Sequence, residues 1–183
     1  MNLRVDSTEN VRRFVGQQSH ERERRTMEYF NLDAQVGNLP DVLSPARYLE
    51  HLPSLADDLP AGARGFAAAP EHYDFSGKRC VKDLEVQHIR GVGADDRQME
   101  IQFRHNCWKH DEDLVIRYIG VSSFDGGSIE ANDWSTVGTV ILDEVLPHQN
   151  GCSHEIAFWN GSLTVVCRDL VATWIAADCP DNS

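Results

Sequence analysis

The segment that most constrains the fold runs from Asp143 to Val166 and reads DEVLPHQNGCSHEIAFWNGSLTVV. Two turn signals, PHQNG and Asn160-Gly161, separate three runs that each have the length of a β-strand. Asn-Gly between such runs is a strong hairpin signal. Connections this short can join only antiparallel strands, because a parallel pair needs a crossover of a dozen or more residues. The segment therefore predicts a three-strand antiparallel meander.

Strand patterns also fill the rest of the chain after residue 75. MEIQFRH alternates between apolar and polar residues, and DLVIRYIGVSSF, TVGTVILDEVL and LTVVCRDLVATWIA are rich in β-branched and aromatic residues. None of these segments has the length and period of a crossover helix. We expect six or seven antiparallel strands in a sheet or sandwich, with one shared core that contains Ile101, Phe103, Ile116, Tyr118, Ile156, Phe158 and Val165.

The first 75 residues are helical and irregular in pattern. Asp6 and Glu9 have the spacing of a capping box. LSPARYLEHLP predicts a short helix with Ser44 as the N-cap and Pro45 in the first helical position, which ends at Pro53. The chain is therefore predicted to be α+β, with short N-terminal helices packed on the sheet. The expected division is a helical and irregular segment at 1–75 and a β domain at 76–178, in one compact unit.

The formal net charge of the chain is -12, from 17 Lys and Arg against 29 Asp and Glu. Nucleic-acid binding needs clustered basic side chains, so this balance argues against a nucleic-acid partner. It favours association with a basic protein, although solubility alone also accounts for an acidic surface. No apolar run is long enough to span a membrane, and the first ten residues have no apolar segment typical of a secretion signal.

The five cysteines form no CxxC pair. Without an export signal, the expectation is a cytoplasmic protein whose thiols are reduced. Cys167 lies inside the apolar run LTVVC and is expected to pack as a small hydrophobic residue.

Two clusters of histidine and cysteine could bind a metal. Zinc takes Cys and His ligands in tetrahedral sets, and both clusters lie near predicted strand ends. In the alternative in which the protein binds a metal, the ligand set is drawn from His105, Cys107, His110, His148, Cys152 and His154. Neither spacing matches a standard zinc motif, so we expect no cofactor and no stoichiometric zinc.

The sequence contains none of three common catalytic or nucleotide-binding motifs: GxSxG, the Walker loop and GxGxxG. Asp143 and Glu144 are adjacent in a predicted strand, so their side chains should point to opposite faces and cannot act on one substrate atom. His154 is in phase with the core residues of its strand, and an acid from another strand could pair with it. Cys107 or Cys152 beside a histidine is a conceivable nucleophile, but a non-catalytic protein is the favoured interpretation.

Acidic loops and tryptophans define a candidate partner-binding surface. Tryptophan is enriched among the residues that anchor protein interfaces. The candidate contact residues are Asp111, Glu112, Asp113, Asp125, Trp108 and Trp134.

The pattern of a DE strand, a glycine-containing turn, HEIAFWNG and LTVVCRDL resembles the C-terminal β-meander of small acidic bacterial proteins, some of them immunity proteins of polymorphic toxin systems. The resemblance covers roughly residues 80–176 and assigns no ligand residues. It implies a cytoplasmic, non-catalytic protein that neutralises a basic partner, such as a toxin domain, by covering its surface. The alternative is a small metal-binding protein or metal-assisted hydrolase that uses the His/Cys clusters.

Overall fold

The computed structural model of the chain describes residues 27–30, 44–91, 97–126, 133–177 and 179. The helix predicted from Asp6 lies outside these residues. Helix α1 spans Ala46–Leu55 and is followed by a 3-10 turn at Ala56–Asp58; helix α2 spans Ala61–Ala67. A second 3-10 turn lies at Trp134–Thr136. Neither of these described helices has the length and apolar character that crossing a membrane requires.

Helix α1 begins at Ala46, one residue later than predicted, with Pro45 as its N-cap, and it does not end at Pro53. The amide of Ala46 donates to Ser44 Oγ at 3.3 Å, and the helix continues to Leu55. Pro53 lies inside it, although proline removes one helical hydrogen bond. The next helical bond, from the Ala56 amide to the Leu52 carbonyl, is intact, and Leu52 is buried in the core. The predicted helix end was therefore wrong, because tertiary packing keeps the last turn in place.

Eight strands form two antiparallel four-stranded sheets in the described part of the chain. The strands are β1 Glu85–Gly91, β2 Gln98–Arg104, β3 Glu112–Ile119, β4 Ser123–Asp125, β5 Val140–His148, β6 Gly151–Phe158, β7 Gly161–Cys167 and β8 Asp169–Ala176. One sheet has the order β1-β2-β3-β8 and the other β4-β7-β6-β5. The α+β class with antiparallel pairing is confirmed, whereas the strand count of six or seven was too low.

The strand count was too low because long apolar runs serve both sheets. LTVVCRDLVATWIA changes sheet at Arg168, between β7 and β8. At the same corner Gly120, with a φ of +67°, lets the chain turn from β3 toward β4, and the Arg168 amide donates to the Ile119 carbonyl at 3.0 Å. Periodicity alone shows no break there, since residues on both sides of the corner remain apolar.

The predicted core is confirmed. Ile101, Phe103, Ile116, Tyr118, Ile156, Phe158 and Val165 are all buried in one hydrophobic cluster, to which both sheets contribute. Tyr48 of α1 and Phe66 of α2 belong to the same cluster, so the helical segment and the sheets share a core. Cys167 is also buried there, as predicted.

The meander between Val140 and Cys167 is confirmed, but the hairpin turn is displaced by one residue. Phe158 pairs with Gly161, so the two-residue loop is Trp159-Asn160. Among the described residues only Asp83 has a positive φ without being glycine, so Asn160 does not adopt the left-handed conformation of the expected Asn-Gly turn. Instead the Asn160 amide and side chain donate to the Val137 and Thr136 carbonyls, both at 3.0 Å. Contacts with the preceding loop therefore determine this turn.

Helix α2 rests on the first residues of β8. The Asp169 carboxylate accepts hydrogen bonds from the amides of Gly62 at 3.2 Å and Ala63 at 2.9 Å, which satisfies two donors at the start of the helix. A Cβ atom at Gly62 would overlap the carbonyl oxygen of Leu170. The close approach of helix and strand therefore requires glycine at this position.

We expect Gly62→Ala to destabilise the protein by about 1–3 kcal/mol, because the helix must move away from the Leu170 backbone. Gly65→Ala is the matched control in the same helix, since a Cβ there meets nothing within 4 Å. It should stabilise the helix by about 0.5–1 kcal/mol. Urea unfolding of both variants measures the difference, and equal stabilities would contradict the proposed contact.

Candidate functional site

A chain of four hydrogen-bonded side chains crosses the core between the two sheets. The order is Tyr118 of β3, His154 of β6, Asp143 of β5 and His72, which follows α2. Tyr118 Oη lies 2.8 Å from His154 Nδ1, and His154 Nε2 lies 3.0 Å from Asp143 Oδ2. His72 Nε2 lies 2.8 Å from Asp143 Oδ1 and 3.0 Å from Oδ2. The sequence left open whether an acid from another strand pairs with His154, and in the structure Asp143 of β5 does so.

The protons in this chain follow from the carboxylate. An ionised carboxylate only accepts, so both imidazoles must donate their Nε2–H groups to Asp143. His154 Nδ1 is then free to accept the hydroxyl proton of Tyr118. Burial raises the pKa of Tyr118 well above its ordinary value, so the hydroxyl keeps this proton. One arrangement of hydrogen atoms thus satisfies all the hydrogen bonds among these four side chains.

Asp143 is ionised in spite of its position in the core. Burial acts to raise the pKa of the carboxyl group, but the nearby His72 and the hydrogen bonds from both imidazoles act more strongly. The net result is a pKa far below the ordinary value. Glu144, next in the strand, points to the other face as predicted and accepts the backbone amides of Glu28 and Tyr29 at 3.0 Å and 2.9 Å. Burial raises the pKa of Glu144.

No substrate can reach this chain of side chains in the described structure. Tyr118, His154, Asp143 and His72 are each at most 1% exposed. A cavity of about 10 Å³ adjoins Asp143 and His154 and is otherwise lined by apolar side chains. It is no larger than the space of one water molecule. The arrangement therefore acts as an internal clamp that ties α2 and the following turn to both sheets.

A second cluster lies at the surface and joins the turn after β2 to the C-terminal segment. Cys107 and Cys179 form a disulfide, with their Cα atoms 6.1 Å apart. His105 Nε2 lies 3.3 Å from Cys107 Sγ. His105 Nδ1 and the His105 amide both contact Asp113 Oδ1, at 2.7 Å and 2.8 Å. The expectation that all five thiols are reduced was wrong, because the fold brings together two cysteines 72 positions apart.

The alternative metal ligands do not form one group. His110 is buried and already has two backbone partners: Nδ1 accepts from the Asn106 amide at 3.1 Å, and Nε2 donates to the Cys80 carbonyl at 2.9 Å. His148 is exposed at the end of β5. His154 belongs to the internal clamp described above. Of the six residues in the alternative ligand set, the structure brings only His105 and Cys107 together in one group, and it adds Cys179.

Cys152 is not placed to act as a nucleophile either. It is fully buried and faces Cys167 across the β6–β7 pair, with the two sulfur atoms 3.6 Å apart. Its neighbour's thiol is held neutral, because the hydrogen bond with Cys152 and burial raise the pKa of Cys167. Cys107, the other predicted nucleophile, is in the disulfide. A thiolate at either position is therefore not presented to substrate in this structure.

Trp108 is the most exposed large hydrophobic side chain among the described residues, at 96%. The turn that carries Trp108 is held by several hydrogen bonds. The Trp108 amide donates to Asn106 Oδ1 at 3.0 Å, and the amides of Lys109 and His110 donate to the Asn106 carbonyl at 2.9 Å and 2.8 Å. Lys109 Nζ donates to the Lys82 carbonyl at 3.1 Å. The indole is thus presented to solvent from a rigid support.

The predicted acidic contact residues next to this turn have partners within the chain. Asp111 pairs with Lys78, and Glu112 accepts two hydrogen bonds from Arg79, at 2.6 Å and 3.1 Å. Asp113 orients His105. These three carboxylates follow Trp108 by three to five positions, and none of them is an isolated charge.

The remaining predicted contact residues lie elsewhere. Asp125 ends β4, on the other sheet. Trp134 is half-buried and packs edge-on against Phe124 at a centroid distance of 6.0 Å. The structure therefore separates the six predicted residues into one surface around Trp108 and a second group at β4.

Three residues that matter to these sites were not singled out from the sequence: His72, Tyr118 as a hydrogen-bond donor, and Cys179. His72 follows a proline and alanine-rich stretch without strand or helix pattern, and no local signal marks it as buried. Tyr118 was recognised only as a core residue. No spacing motif in the sequence links Cys179 to Cys107, so no local signal marked it as a partner.

No protein-family model matches the chain, and no curated protein matches it significantly.

Proposed function

We propose that this chain is a non-catalytic binding protein that engages a basic protein partner through the surface centred on Trp108. The observation that carries this proposal is an indole that is 96% exposed on a turn fixed by hydrogen bonds. An exposed tryptophan on an otherwise polar surface loses little entropy on binding and buries a large apolar area. Such a side chain is costly to leave in water unless a partner covers it.

Rigidity of the support favours the same function. The turn is connected to the preceding segment through Lys109 and His110, to β3 through the contact of His105 with Asp113, and to the C-terminal segment through Cys107. A preorganised contact surface does not have to be ordered when the partner binds, so more of the interaction energy appears as affinity.

Charge supports a basic partner at long range more than at the contact itself. The net charge of -12 attracts a cationic protein and speeds encounter. The pairing of Asp111 with Lys78 and of Glu112 with Arg79 partly balances the charge next to Trp108. We therefore assign affinity mainly to the indole and association rate mainly to the overall field. The resemblance to immunity proteins makes a toxin domain the proposed partner.

Trp108→Ala is the test of this surface. The partner is first captured from the native cell with the wild-type protein as bait, and its identity gives its charge. In surface plasmon resonance, Trp108→Ala should raise the Kd at least about 30-fold, which corresponds to about 2 kcal/mol, mainly through faster dissociation. Phe124→Ala is the control, since Phe124 is 41% exposed but lies in β4, at the edge of the other sheet.

The salt dependence separates charge from the aromatic contact. Association of the wild type should slow as ionic strength rises, because long-range attraction is screened. Dissociation of Trp108→Ala should stay fast at every salt concentration. Unchanged dissociation in this variant, or an acidic partner, would contradict the proposed function.

A further inference from the structure

We propose that His105, Cys107 and Cys179 form a zinc site when the two cysteines are reduced, so that the disulfide and the metal site are alternative states of the same three side chains. One nitrogen and two sulfur atoms lie within 4.8 Å of one another here. Two thiolates and one imidazole are a known zinc set with an open fourth position for water or another ligand. This proposal departs from the expectation of no stoichiometric zinc, and its ligands differ from the alternative set considered from the sequence, which lacked Cys179.

The spacing of the donor atoms fits zinc. With Zn–S bonds of about 2.3 Å and Zn–N bonds of about 2.0 Å, a tetrahedral angle places nitrogen and sulfur about 3.5 Å apart. His105 Nε2 and Cys107 Sγ are 3.3 Å apart. Only the S–S bond has to open, and the imidazole is already in position.

Asp113 prepares the histidine for this role. Its Oδ1 atom accepts a hydrogen bond from His105 Nδ1 at 2.7 Å, which places the proton on Nδ1 and leaves the lone pair of Nε2 directed at the sulfur. The His105 amide donates to the same oxygen at 2.8 Å, so the ring and its backbone are held together. A carboxylate behind a ligating histidine is the usual supporting arrangement in metal sites.

The partial burial of the three ligands also suits a zinc site whose metal can enter and leave. His105 is 7% exposed, and both cysteines are partly buried. The ligands are therefore shielded enough to exclude most water, yet lie at the surface where an ion and a reductant can enter. In a reducing compartment, where disulfides do not persist, zinc would supply the same link between the Trp108 turn and the C-terminal segment.

The interconversion is balanced with a small-molecule disulfide as oxidant. The sulfurs of Cys107 and Cys179 give up two electrons and form one S–S bond, and the S–S bond of the reagent breaks. The two reagent sulfurs take up the electrons and two protons and leave as two thiols, while the zinc ion is released. A small thiol in excess, with zinc present, reverses each of these changes.

The first test needs no substitution. The full chain is reduced with a phosphine, loaded with zinc, freed of excess metal by gel filtration and analysed for metal, in parallel with the oxidised chain. We expect about one zinc per reduced chain and none per oxidised chain, and release of the zinc on addition of a small-molecule disulfide. Cobalt in place of zinc should give thiolate charge-transfer absorption only in the reduced chain. Absence of metal from the reduced chain, or equal loading of both forms, would overturn the proposal.

Variants then identify the ligands. Cys107→Ser and Cys179→Ser should lose the stoichiometric zinc, and Asp113→Asn should weaken zinc binding about 10–100-fold. Cys152→Ala is the matched control, because Cys152 belongs to the alternative ligand set considered from the sequence but lies in the core beside Cys167. It should keep full zinc binding. Retention of zinc by Cys179→Ser, or its loss in a folded Cys152→Ala protein, would contradict this site.

Discussion

Replacing Asp143 with Ala is expected to lower the free energy of unfolding by about 3–5 kcal/mol, because it leaves two buried imidazole donors without an acceptor. The Asp143 carboxylate accepts from His72 at 2.8 Å and from His154 at 3.0 Å, and all three side chains are at most 1% exposed. Bulk solvent does not reach the two imidazoles while the core is closed. Urea unfolding followed by circular dichroism measures the change.

Glu112→Ala is the matched control for the loss of a carboxylate. Glu112 pairs with Arg79 at the surface, where an exposed ion pair contributes about 0–1 kcal/mol. The two variants each remove one acid and one set of hydrogen bonds, so the difference between them reports burial. If Asp143→Ala and Glu112→Ala cost the same, the buried chain of side chains does not hold the sheets and α2 together.

The contribution of Asp143 should also depend on pH in one direction. Its pKa in the folded protein lies well below the ordinary 3.8, since the effect of the two histidines exceeds that of burial. A group with a depressed folded pKa stabilises the fold above its unfolded pKa, and this stability is lost as pH falls below that value. The stability difference between wild type and Asp143→Asn should therefore be constant near neutral pH and shrink below about pH 4. A difference that grows on acidification would reverse the assigned sign.

Period-two alternation was enough to predict the core of the sheets. Ile101 and Phe103 in β2, and Ile156 and Phe158 in β6, were placed by alternation alone, because each sheet buries one face. Strand β1 was missed, since LEVQHIRG mixes polar and apolar residues and its pairing with β2 shifts register between Val86 and His88. A bulge moves residues from one face to the other, so no single period describes the strand.

The only parts of the sites that could be predicted are those that depend on the alternation of residues within one strand. His154 was expected to face the core because it alternates with Ile156. Its partners Tyr118 and Asp143 are 36 and 11 positions away, and His72 is 71 positions from Asp143. Similarly, Cys107 meets Cys179 across 72 positions. These contacts are set by the order of strands in the two sheets, which alternation within one strand does not encode.

Charge shows the same limit. Asp111 and Glu112 form a dense acidic run in the sequence, yet each meets a basic side chain 33 positions earlier, Lys78 and Arg79. The two acids are paired with two consecutive basic residues of an irregular segment. No local pattern predicts these pairs, because the path of the segment that carries Lys78 and Arg79 depends on the fold.

Phe158→Ala should lower the free energy of unfolding by about 3–5 kcal/mol, because removing a buried aromatic ring loses its transfer free energy and leaves a cavity. Phe158 is 3% exposed and pairs with Val140 of β5 and Gly161 of β7. It therefore lies where three strands of one sheet meet, next to the Trp159-Asn160 turn. Neighbouring backbone in three strands restricts how far the core can collapse into the space.

Trp159→Ala is the control at the next residue. Trp159 has the larger side chain but is 56% exposed. Its backbone position is set by a hydrogen bond from its amide to the Thr139 carbonyl at 3.3 Å, which alanine retains. Its loss should cost clearly less than the loss of Phe158, even though more atoms are removed. Urea unfolding of both variants, with the slope against denaturant unchanged, gives the comparison. If Trp159→Ala proves the more destabilising of the two, the hairpin is held by its turn contacts and the core at Phe158 is the weaker element.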